Sequence, residues 1–109
     1  MATTMNKPST AAASIQVSKH GDTLTIAVVG RFDFQCHQDF RRSYERVEGI
    51  SHVVIDLERT DYLDSSALGM LLLLRDSVPT QGAVRIVRCN PAVKRILRIA
   101  NIDQLVTVE

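Results

Sequence analysis

Tryptophan is absent and only five residues are aromatic, three Phe and two Tyr. A stacking groove for single-stranded nucleic acid has little to be built from. Cysteine is scarce too: Cys36 and Cys89 stand far apart in no CxxC or zinc-ligand spacing, which argues against a disulfide framework and a structural metal. Both read as reduced, half-buried small apolar residues. Neither sign of charge is in excess, since thirteen Lys and Arg against twelve Asp and Glu leave +1. That balance describes neither a strongly basic nucleic-acid binder nor an acidic disordered chain. A mild asymmetry remains, with eight basic and ten acidic side chains in residues 1–80 and five and two in residues 81–109. The longest apolar run, Ala67 to Leu74 with Gly69 inside it, falls far short of the roughly 20 residues a membrane span requires.

What is present is a chain of 109 residues, 45% hydrophobic, which suits one domain with a single core. Residues 1–14 are small and polar, contain Pro8 and lack the apolar stretch of a secretory signal. They are expected to form a flexible tail ahead of a domain over residues 15–109, with the cytoplasm as the expected compartment.

Hydrophobic periodicity orders the rest. Ile15 to Lys19 alternates, His20-Gly21-Asp22 supplies a turn, and Thr23 to Gly30 completes a hairpin whose second strand is expected to be covered on both faces. From Gln35, Phe40, Tyr44 and Val47 recur at helical spacing up to Gly49. His52 to Leu57 is the β-branched run of a buried parallel strand. A loop over Glu58 to Leu63 leads to Asp64-Ser65-Ser66 and a helix from Ala67 to Asp76, apolar almost all round, that ends before Pro79. Such a helix is expected to be covered twice, with Leu71 to Leu74 either internal or part of a dimer seam. Ala83 to Arg88 alternates as a strand, Pro91 opens a helix with Val93, Ile96, Leu97 and Ala100 on one stripe, and Leu105 to Val108 closes the chain. The order ββαβαβαβ predicts an α/β fold, a mixed sheet of about five strands with helices packed on it.

Chemistry concentrates at Asp64-Ser65-Ser66. Unpaired N–H groups and the macrodipole make a helix start an anion site, yet Asp and Ser are also ordinary N-caps, so spacing alone leaves both roles open. The segment follows a βα unit, the functional edge of an α/β sheet. Gly30-Arg31-Phe32-Asp33, Val54-Ile55-Asp56-Leu57 running into Tyr62-Leu63-Asp64-Ser65-Ser66-Ala67-Leu68-Gly69, and Asn90-Pro91-Ala92-Val93-Lys94-Arg95-Ile96-Leu97 together resemble bacterial anti-sigma factor antagonists of the STAS family, from about Ile15 onward.

The resemblance implies a single STAS domain acting as a phosphorylation-controlled partner switch without catalysis of its own. Ser65 is the implied phosphate acceptor and Ser66 the second candidate. Asp33 and Asp64 are the implied neighbours, and Phe32, Ala67, Leu68, Gly69 and Met70 the implied partner surface. Ala67 departs from the Gly many members carry there. The implied partners are a serine kinase of the GHKL ATPase type that doubles as anti-sigma factor, and a PPM-type metal-dependent serine phosphatase. No cofactor, resident metal, nucleic acid or membrane is implied. The alternatives are a non-switching STAS subunit of a signalling scaffold or transport complex, with Ser65 only a helix cap, and a STAS switch whose target is not a sigma factor.

Other candidates are weaker. His20, His37 and His52 are scattered over a turn, a helix start and a strand start. No nucleophile elbow, GxxxxGK[ST] or GxGxxG occurs. Arg85, Arg88, Lys94, Arg95 and Arg98 read as a solvated face.

Overall fold

The computed structural model describes residues 14–78 and 83–109. A hairpin opens it, β1 (Ser14–His20) pairing antiparallel with β2 (Thr23–Phe32) from Ser14↔Val29 to His20↔Thr23. Gly21 takes φ +59° at the first central position of the two-residue turn, where a type II′ turn favours glycine. A 3-10 turn (Phe34–Cys36) leads into α1 (His37–Glu45), followed by β3 (His52–Asp56), β4 (Thr60–Leu63) and α2 (Ser65–Ser77). Then come β5 (Val84–Val87), α3 (Pro91–Ile99), a second 3-10 turn (Ile102–Gln104) and β6 (Thr107–Val108).

The six-stranded mixed sheet runs β1-β2-β3-β5-β6, with β4 off this path and paired to β2. Every pairing after the hairpin is parallel. Alternation along the strands decides the core. Leu24, Ile26 and Val28 of β2, Val53 and Ile55 of β3, and Val84 and Ile86 of β5 are buried. They join one cluster with Phe40 of α1, Ala67, Met70, Leu71 and Leu74 of α2, and Val93 and Leu97 of α3. The alternate positions Thr25, Ala27, Val29, Val54 and Val87 are only half-buried. β2 is therefore closed over on one face and not on both as expected.

Four further differences separate fold from expectation. The segment expected as a loop before Asp64 contains β4, which raises the strand count to six. The first helix ends at Glu45 with Arg46 as C-cap, before Val47 and well before Gly49. The last strand shrinks to Thr107–Val108 because Ile102–Gln104 turns as 3-10. α2 starts at Ser65 and is covered on one side only, its stripe of Ser65, Gly69, Leu73 and Asp76 being exposed. Of the expected tail, residues 1–13 lie outside the described residues and Ser14 opens β1; Pro79 also lies outside them.

Candidate functional site

The site follows from how β2 changes partner. Up to Ala27 it pairs with β3; from Gly30 onward it pairs with β4, with a register shift between Gly30 and Arg31. Gly30 sits at φ +97°, a conformation an L side chain resists, so the bulge has its glycine where it needs one. The Gly30 N–H donates to the Arg59 carbonyl at 3.0 Å, and the buried Thr60 hydroxyl donates to the Val28 carbonyl at 2.7 Å. The Asn90 amide, whose own Oδ1 caps α3 through the Val93 N–H, donates to the Thr60 carbonyl at 3.0 Å and ties α3 to β4.

The result is the register Phe32↔Leu63, extended by the Asp64 N–H donating to the Phe32 carbonyl at 3.4 Å. Asp33 and Asp64, each one residue further on, leave neighbouring strand ends side by side. Each caps a helical turn: Asp33 accepts from the Gln35 N–H at 3.0 Å, and Asp64 from the Ala67 N–H at 3.1 Å. Asp64 is thus the N-cap of α2, and Ser65, the first helical residue, is exposed with no capping task. Ser66 is half-buried.

Around this pair lies a surface the sequence did not disclose. Arg31 and Tyr62 are ladder partners, which places the Arg31 guanidinium 4.1 Å from the centre of the Tyr62 ring. The same guanidinium donates through Nε to Asp33 at 3.3 Å. Phe34 is 61% exposed and stacked on His37 with ring centres 4.2 Å apart. Beneath it the Cys36 thiol donates to the Asp33 carbonyl at 3.2 Å, and burial pushes that thiol up from its ordinary pKa. A ring beside a helical cap was the available signal for Phe34; Tyr62 and Arg31 required the register.

The structure corrects the expected partner surface. Phe32 and Ala67 are fully buried and Met70 nearly so, because all three point into the cluster with Phe40 and Leu71. Only Leu68, half-buried, and Gly69, exposed, reach the surface. Their exposed companions are Phe34, Tyr62 and Leu73.

Elsewhere, the basic residues divide. Arg85 pairs with Glu109 at 2.7 Å, while Arg88 reaches Asp56 and, at 4.0 Å, Glu58. Burial pushes the Asp56 carboxyl up, but the Arg88 guanidinium and the Glu58 N–H outweigh it and hold the group below its usual range. His20, His37 and His52 stand at the ends of separate elements. Among the described residues no cluster of His, Cys, Asp and Glu is placed to hold a metal ion, and no helix is long and apolar enough to cross a membrane.

Comparison with known proteins agrees with this architecture. The STAS domain profile matches residues 14–109. A STAS-domain containing protein of Pseudomonas aeruginosa (strain UCBPP-PA14) is 52% identical over 90 residues, 81% of this chain and 89% of the relative. Among solved structures, an anti-sigma factor antagonist from Mycobacterium paratuberculosis superposes with TM-score 0.77 at 18% identity, over 95% of this chain and 89% of that one. The anti-sigma factor antagonist SpoIIAA in its unphosphorylated form gives TM-score 0.63 at 17% identity, over 79% and 83% of the two chains. The Bacillus cell fate determinant SpoIIAA in its phosphorylated form gives 0.61 at 15%, over 88% and 91%. With a family profile spanning the described domain and a relative half identical to it, this chain belongs to the STAS-domain family.

Proposed function

We propose that this protein is an anti-sigma factor antagonist that works as a phosphorylation-controlled partner switch. The observation that carries the reading is the division of labour at the start of α2: Asp64 caps the helix and leaves the Ser65 hydroxyl exposed and unemployed. A serine kept only as a cap would occupy the position that Asp64 holds. Support comes from the fold shared with SpoIIAA, which exists in both phosphorylated and unphosphorylated forms.

In this reading the unmodified protein binds a serine kinase of the GHKL ATPase type that doubles as anti-sigma factor, and the sigma factor is released. The kinase transfers the γ-phosphoryl group of ATP to Ser65 Oγ, ADP leaves, and the hydroxyl proton passes to solvent or to a base of the kinase. A PPM-type metal-dependent phosphatase hydrolyses the ester and resets the switch. The phosphate adds about −1.5 to −2 charge where the helix dipole favours it, so the fold survives modification. The contact does not survive it. A partner closing over Ser65 would have to bury that charge next to Asp64 and Asp33, and a penalty of about 3 kcal/mol is roughly 150-fold in affinity.

The test is the affinity of the partner kinase for two variants, measured by calorimetry. Ser65→Ala should bind like the unmodified protein and Ser65→Asp at least tenfold more weakly. Equal affinity of the two would contradict the switch.

A further inference from the structure

We propose that Arg31 is the residue that answers a phosphoryl group on Ser65: its guanidinium, resting on Tyr62 and tied to Asp33 by one N–H, transfers from the Asp33 carboxylate to the phosphate. The proposal rests on the reading of Ser65 as the acceptor and adds a device for conveying its state. Three observations carry it.

The first is that Arg31 is oriented but underused. Arg31 Cζ lies over the Tyr62 ring, 4.1 Å from its centre, and Asp33 engages Nε. Its side chain is still 46% exposed, which leaves the Nη donors open to a further acceptor. The second is reach. Arg31 and Tyr62 are cross-strand partners, about 4.8 Å apart at Cα, and Ser65 lies three residues beyond Tyr62, at most about 10 Å of chain. Closing that gap calls for an extended arginine stem and a phosphoserine turned toward it. The third is competition. Asp33 offers one negative charge, and its Oδ1 is already committed to the Gln35 N–H. A phosphate offers nearly twice the charge and three strong acceptor oxygens, which a planar fork can bind in pairs.

The consequence lies at the surface. In the unmodified state Arg31 covers Tyr62 and neutralises Asp33 beside the exposed Phe34. Once Arg31 moves, Tyr62 is uncovered and the Asp33 carboxylate stands without its cation next to Phe34. A partner that docks on these rings therefore meets a changed face as well as a new charge.

The experiment installs phosphoserine at position 65 during synthesis through an expanded genetic code, so that no kinase is needed. Phosphorus NMR then follows the second ionisation of the phosphate in the otherwise native chain and in Arg31→Gln and Arg31→Lys variants. Removal of the guanidinium should raise that pKa by about one unit, and Arg31→Lys, which keeps the charge, should raise it less. The Arg31 Nε signal should also shift when unmodified and phosphorylated proteins are compared. The same titration in all three phosphoproteins, or an Nε signal blind to the phosphate, would overturn the role of Arg31. Neither result touches the switch itself, which stands or falls on partner affinity.

Discussion

Asp64 and Ser65 divide two tasks that sequence alone assigns to either. A helix start needs one acceptor for its first N–H groups, and the Asp64 carboxylate supplies it to Ala67. Ser65 is thereby left to solvent, whereas Ser66 is half-buried and less open to a kinase. Arg88 is a second residue with a defined task. It holds φ +58°, uncommon for a side chain other than Gly, Asn or Asp, and its guanidinium secures the nearly buried Asp56. The Asp56 carboxyl lies below its ordinary value of 3.8 in the folded protein, so its contribution to stability is present above about pH 4 and is lost as pH falls through the lowered value. Arg88→Gln should therefore lower the urea midpoint at pH 7, and the gap from the parent should close as the titration is repeated toward pH 2. A constant gap across that range would detach the pair from stability. A local capping motif marked Asp64 and Ser65, since a cap and its neighbours are a matter of a few consecutive residues, and the family resemblance added Asp33. Arg31 over Tyr62 could not be seen that way, because the contact depends on which residue of β2 faces which residue of β4.

Among the elements, α2 shows where a hydrophobic pattern misleads. Leu68 and Leu71 through Leu74 spread leucine around the helix, so the pattern names no wet side; the packing chooses one, burying Ala67, Met70, Leu71 and Leu74 and leaving Leu73 64% exposed. Gly69 lies on the exposed stripe, one turn after Ser65, and a Cβ there would meet nothing within 4 Å. Glycine inside a helix costs about 1 kcal/mol relative to alanine. No contact in the described chain requires it; in the proposed switch the missing side chain leaves room for a partner that approaches from outside. Gly69→Ala should raise Tm by about 4–8 °C and weaken the kinase partner by at least tenfold. Higher Tm with unchanged affinity would place the interface elsewhere. β4 was hidden for another reason: Thr60-Asp61-Tyr62-Leu63 is short and half polar, and it is a strand only because β2 runs on past β3 after the Gly30 bulge and offers an open ladder. β2 and α3 were plain from their period, and β3 from its short β-branched run.

At the scale of the molecule, the sheet sets where the proposed switch sits. Parallel β2 and β4 end together, so two caps and one exposed hydroxyl emerge at one edge, and α2 carries that edge along an uncovered stripe. Family and fold are shown by the whole domain, residues 14–109. The choice between a switch and a fixed subunit rests on Ser65. Phosphosite mapping by mass spectrometry on protein purified from its native cell, with Ser65→Ala and Ser66→Ala strains alongside, tests that choice most directly. The account predicts phosphate on Ser65, lost in Ser65→Ala and kept in Ser66→Ala. Phosphate on Ser66 instead, or none on Ser65 under any growth condition, would contradict it.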